Sequence, residues 1–233
     1  MRGAEAGSGA PRARAIAASY AGVLLYSGLV FVGAWKLNYW RGLTYVALAL
    51  VGTTLSHLLM PADSDLAERR VREASSGQVW DKQLLGVLSV VNMAMFVVAG
   101  MDSGRFMWSG PVPLWATIAG AVLMLGGQVI FAIARRENAF FSSTVRVQTE
   151  RGHQVCESGL YRLVRHPGYL GMLLSIAAFP LLMGSYWAFA PGAIAVAVLV
   201  VRTVLEDRFL LSALPGYMDY AARTKFRLIP AVF

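Results

Sequence analysis

The sequence predicts an all-α integral membrane protein with six transmembrane helices, the last two forming a tight hairpin, and a cytoplasmic C-terminal helix. Three observations carry this reading. Of 233 residues, 57% are hydrophobic and 15% charged, with a mean hydropathy of +0.55; soluble domains carry about 25% charged residues. Charges are absent from five long runs, and about 20 apolar residues suffice for a helix to cross ~30 Å of hydrocarbon. Lys and Arg are also distributed very unevenly between the two sides that those runs define. The composition excludes a disordered chain, a collagen and a disulfide scaffold, since the single cysteine, Cys156, cannot close an intrachain bridge.

The elements follow in order. Residues 1–14 are rich in Gly, Ala and Arg and read as a disordered N-terminus. The uncharged run 15–35 is the first span; it is too long for a signal-peptide core, and no small-residue cleavage site follows. Runs 42–60 (interrupted only by His57), 84–101 and 112–134 complete a four-span N-terminal membrane region, 15–134. The loop 61–82 has mixed charge, with a helix expected at 65–74. Run 168–201 is too long for one crossing, and Pro180, Gly184, Ser185, Pro191 and Gly192 interrupt it where a chain reverses most easily. It is read as a helical hairpin, giving six spans, or five if the short arms insert only partly. The region 135–233 thus holds a polar insert (135–166), the hairpin and a polar tail from 206 that is helical through Arg223.

Arg2, Arg12 and Arg14 precede the first span, and positive flanks stay cytoplasmic. With that end inside, Lys36, Arg41 and Arg105 lie outside, Arg202 near a boundary, and every other Lys and Arg inside. Both termini are then cytoplasmic. The formal charge of +8 and the pI near 10.0 are accounted for by topology, with the lipid bilayer and no nucleic acid as partner. Abundant Ala, Gly, Val and Arg point to a bacterial inner membrane. The polar segments all fall on one face, where function concentrates.

Two clusters on that face can carry chemistry. The first, Gly159 to Gly171, joins the insert to the hairpin. Pro167 suits the first turn of a helix and disfavours a helical His166. The amides and dipole at that helix start, with Arg162, Arg165 and His166, make an anion site for a carboxylate or phosphate. The bland alternative, equally weighted on physics alone, is arginines snorkelling at a span boundary. The second cluster is Arg202 to Asp207. Arg202 and Glu206 share a helix face and either close the helix as an interfacial pair or hold a substrate carboxylate. His57 and Gly126-Gly127-Gln128 read as packing features. His153 and Cys156, without a third ligand, make no zinc site, so no metal is expected. P-loop, nucleophile-elbow and GxGxxG motifs are absent from the sequence.

These clusters resemble the isoprenylcysteine carboxyl methyltransferases and the related phospholipid methyltransferases of membranes. The matching residues are Gly159-Leu160-Tyr161, Arg165-His166-Pro167-Gly168-Tyr169-Leu170-Gly171, Glu206-Asp207, Leu211, Pro215-Gly216-Tyr217, Tyr220 and Arg227-Leu228-Ile229-Pro230. Arg136, Asn138 and Phe140-Phe141 look like the start of the family's cofactor region. The resemblance covers roughly 125–233, and Trp80-Asp81-Lys82 looks like bacterial members. Where the family often has two glutamates, this chain has Glu206-Asp207.

The resemblance implies an S-adenosylmethionine-dependent methyltransferase acting on a lipophilic small molecule or prenylated substrate at the cytoplasmic face. It implies Gly159, Tyr161, Arg165, His166, Pro167, Tyr169, Leu170 and Tyr217 as cofactor-binding residues, and Arg202, Glu206 and Arg136 as catalytic ones. Arg202, braced by Glu206, is expected to orient an acceptor that arrives through a gap between spans. Two readings compete: an NADPH-dependent membrane sterol or lipid reductase, whose chains share an Arg-His-Pro-x-Tyr element, and a non-enzymatic carrier. The carrier would show repeated halves and polar groups at mid-membrane, whereas this chain's polar groups gather at one face.

Overall fold

A long uncharged segment can satisfy every backbone N–H and C=O inside hydrocarbon only as a helix or in a closed barrel. The computed structural model describes residues 9–59 and 77–233, and among them it has seven α-helices and no strand. They are α1 (Gly9–Ala34), α2 (Trp40–Leu59), α3 (Val79–Ala99), α4 (Leu114–Glu137), α5 (Pro167–Met183), α6 (Phe189–Ala213) and α7 (Tyr217–Arg223). A π-helical stretch, Gly100–Phe106, extends α3. Five helices are long and apolar enough to cross a membrane, and α5, with 17 residues, is a shorter sixth. The protein is an all-α integral membrane protein.

The late hairpin is present, with Gly184 at φ 63° closing α5 and Pro191 accepted in the first turn of α6. With 17 residues at 1.5 Å per residue, α5 spans about 25 Å, short of the ~30 Å of a hydrocarbon core. α6 runs on past the uncharged run to Ala213, with Arg202 and Asp207 paired inside the protein, and after a break at Leu214–Gly216 α7 continues to Arg223, in line with the helical tail expected from the sequence. α1 begins at Gly9, with Pro11 in its first turn, where a missing N–H costs nothing. The helix expected at 65–74 lies outside the described residues.

Small residues let α4 and α5 pack closely. A Cβ on Gly127 would stand 2.5 Å from the Gly171 carbonyl, and one on Gly120 2.4 Å from the Leu182 amide. Tyr45, Phe96 and Phe179 fill the centre, with ring centroids 4.4–5.2 Å apart. At one end Asp102 is fully buried and ties the π-helical stretch to the hairpin turn, accepting from Ser109 N at 2.7 Å and Ser185 Oγ at 2.6 Å. The insert, the start of α3 and the far ends of α5 and α6 meet at the other.

Candidate active site

Tyr169 and Arg202 lie about equally far from the hairpin turn, one on each arm, which brings the two sequence clusters level. Asp207 is their hub. Its carboxylate is fully buried and accepts from Arg165 Nε at 2.7 Å and Nη2 at 2.8 Å, from Arg227 Nε at 2.8 Å and from the Tyr217 hydroxyl at 2.9 Å. His166 Nε2 stands 3.4 Å away. Arg165 also donates Nη1 to the carbonyls of Thr224 and Lys225, and the Arg165 and His166 amides bond the Phe226 and Arg227 carbonyls. The polar tail is thereby fastened to the mouth of α5. Burial pulls the Arg165 guanidinium pKa down, but the bonds to Asp207 outweigh it and the net direction is up. Burial raises the Tyr217 hydroxyl, and the Asp207 charge raises it further.

Beside this hub lies a cavity with roughly 770 Å³ of empty space counted out to its mouth. The insert supplies Phe140, Phe141, Arg146, His153 and Cys156; the late helices supply His166, Tyr169, Glu206 and Tyr217. His153 stacks on Phe140 and accepts the Gln148 amide at Nδ1, so it is the neutral, Nε2-protonated tautomer. Tyr169 lies parallel to the His166 ring and donates its hydroxyl to Glu206. Arg146 lines the cavity with a buried Nε that has no hydrogen-bond partner among the described residues, while its Nη1 pairs with Glu150.

Several expected residues fall elsewhere. The brace of Arg202 is Asp81, not Glu206: Arg202 Nε meets Asp81 Oδ1 at 2.7 Å, across from the start of α3. Arg202 stands behind Tyr169, its guanidinium 4.9 Å from the ring centroid, and is not on the cavity wall. Arg136 is exposed and away from the cavity. Successive helical residues point about 100° apart, and its neighbour Arg135 takes the inward position against Ser56. Pro167 and Leu170 do not reach the wall. The Tyr169 and Leu170 amides bond the His166 carbonyl, and Arg165 is taken by Asp207, so the anion site expected at this helix start is largely consumed internally.

Gly159 is structural. It adopts φ 51°, and a Cβ there would strike the Glu137 carboxylate, which caps Leu160 N at 2.8 Å. Tyr161, Arg165, His166, Tyr169 and Tyr217 line the cavity. Sequence reasoning missed Asp81, Glu137 and Arg146. Asp81 alone carried a signal: it is an acid placed where an apolar span begins.

This arrangement lies within the part of the chain that can be matched to known proteins. Residues 118–212 match the isoprenylcysteine carboxyl methyltransferase family. The resemblance carried by the Arg-His-Pro-x-Tyr element is therefore upheld. The cobalt-zinc-cadmium resistance protein of Cupriavidus metallidurans is 32% identical over 143 residues, 60% of this chain and 61% of that protein. The methanethiol S-methyltransferase of Mycobacterium tuberculosis is 32% identical over 107 residues, 46% of this chain and 41% of the relative. A probable protein-S-isoprenylcysteine O-methyltransferase of Oryza sativa is 34% identical over 61 residues, 26% of this chain and 32% of the relative. The chain thus covers about a third to three fifths of these relatives' lengths. Among the described residues no group of three or more His, Cys, Asp or Glu is placed to hold a metal.

Proposed function

We propose that the protein is an S-adenosylmethionine-dependent methyltransferase that modifies a lipophilic acceptor at the cytoplasmic face of a bacterial inner membrane, with both termini cytoplasmic. The observation that carries this reading is the cavity between the insert and the hairpin. It combines an unpartnered, buried Arg146 Nε with aromatic walls and the carboxylate of Glu206, and its hairpin walls lie in the family-matched segment.

The residues present fit the cofactor. Arg146 can take its carboxylate, since a buried guanidinium donor without a partner favours an anion. Phe140, Phe141, Tyr161 and Tyr217 offer faces to a planar base or a sulfonium cation. Bound there, S-adenosylmethionine would supply an electrophilic methyl group. The chain's own residues then orient the reactants and exclude water. Tyr169 and Glu206 face the reacting region; Arg202, held behind Tyr169, fixes that pair in place.

A second cavity among α1, α2, α4 and α5 supports acceptor access from the bilayer. It is lined mainly by apolar groups, with Ser56, His57, Gln128 and Arg135 among its polar side chains. Phe131 on its wall meets Phe141 of the first cavity edge-on at 5.5 Å between centroids. An amphipathic acceptor suits that lining.

The test uses purified protein in nanodiscs, methyl-labelled S-adenosylmethionine and three acceptors: N-acetyl-S-farnesylcysteine, methanethiol and a bacterial lipid extract. Label should appear in at least one. Binding of NADPH with no binding of S-adenosylmethionine or S-adenosylhomocysteine would overturn the reading.

A further inference from the structure

Asp81 lies in the first turn of α3, well outside the segment that the family match covers, yet its carboxylate is fully buried and directed at the late helices. The positive end of a helix favours an acid in its first turn, but that preference is met as well at the surface. Three donors account for the burial. Oδ1 accepts Arg202 Nε at 2.7 Å; Oδ2 accepts Arg202 Nη2 at 3.4 Å and the Val145 amide at 2.8 Å. The same Nη2 also reaches the Ser143 carbonyl at 2.8 Å. A second tie runs from the Gln78 amide to the Val145 carbonyl at 3.1 Å. Gly77 lies so close to Thr144 that a Cβ would stand 2.6 Å from that side chain.

One ion pair therefore joins three parts of the chain: the start of α3, the strap 143–145 whose Thr144 and Val145 wall the cavity, and α6. Arg202 in turn supports the Tyr169 ring, which stacks on His166 and bonds Glu206. An Arg202 released from Asp81 has an alternative partner one turn along its own helix, Glu206. Taking it would draw Glu206 away from Tyr169 and loosen the strap.

We propose that Asp81 is a positioning residue of the active site, a clamp by which the N-terminal membrane region holds Arg202 beneath Tyr169 and the Ser143–Val145 strap against the cavity. The proposal rests on the methyltransferase reading for the ligand it names, but not for the clamp itself. The test compares wild type, D81N, R202Q and the double variant in nanodiscs. S-adenosylhomocysteine affinity is measured by calorimetry, and exchange of the 143–147 amides by deuterium uptake without ligand.

D81N, which is isosteric but keeps only one acceptor oxygen, is expected to weaken binding about tenfold and to speed exchange at Val145. R202Q should do the same, and the double variant should be no weaker than R202Q. Wild-type affinity in D81N, losses that multiply in the double variant, or unchanged exchange at Val145 would each overturn the proposal. A wild type that binds no adenosyl ligand defeats the functional reading instead, and the exchange measurement then still decides the clamp. Should D81N not fold, R202K, which keeps the charge but loses the two-pronged contact, must show the same loss and the same faster exchange.

Discussion

At the scale of single residues, the chemistry depends on a few buried charges whose partners come from distant parts of the chain. Asp207 pairs with Arg165 and Arg227 together. Removing one partner of a buried ion pair costs about 3–5 kcal/mol, because the remaining charge keeps its desolvation penalty. Asp207→Asn should therefore lower stability by about that amount, read as a fall in thermal midpoint in detergent, and an unchanged midpoint would mean that the hub contributes nothing. His153 gives a pH dependence whose sign follows from its surroundings. Burial first, then Arg146 and Arg151, push its pKa below the ordinary value, with Glu150 opposing. The unfolded chain then takes up the proton more readily, so stability is full above about pH 6.5 and falls as pH drops from there towards the depressed folded value. The thermal midpoint should decline between pH 7.5 and 5.5 in wild type and less in His153→Phe, which keeps the ring stack on Phe140 without the titration.

Among the elements, the contact of α4 with α5 determines where the hairpin sits, and the glycines in it are not equivalent. A Cβ on Gly127 meets the Gly171 backbone, whereas Gly126 has open space around it. Gly127→Ala should cost about 1–3 kcal/mol by overpacking, and Gly126→Ala should be neutral or stabilising by up to ~1 kcal/mol through helix propensity. Thermal unfolding of the two variants side by side checks this, and equal midpoints would remove the glycine contact as a determinant. The spans were legible in the sequence because lack of charge over 20 residues is a local property. So was the reversal at Gly184, since a left-handed C-cap has a residue signature. The helical continuation past Arg202 was legible too, but the partners of Arg202 and Asp207 were not. Asp81 lies 121 positions from Arg202 in the chain and Arg165 lies 42 from Asp207, and no spacing rule reaches that far. Glu206, four residues from Arg202, was the locally available partner, but the fold supplied a different one.

For the whole molecule, the two cavities are built largely by different halves of the chain. The first is built by the insert, the hairpin and α7, the second mostly by α1, α2 and α4 with one face of α5. If the first holds the charged donor and the second admits the acceptor, their affinities should be separable by substitution. Thr53 lines only the second cavity and contributes to none of the ion pairs around Asp207 or Asp81. Thr53→Trp places an indole in that space, so the acceptor KM should rise about tenfold or more, as expected when on the order of 1.4 kcal/mol of binding is lost. S-adenosylhomocysteine affinity should stay within about twofold, because Thr53 is not among the residues lining the first cavity. Steady-state kinetics with whichever acceptor takes up label in the nanodisc assay, together with calorimetry on the same preparation, tests this directly. A variant that loses donor affinity and leaves acceptor KM unchanged would show that the second cavity is not the acceptor's route.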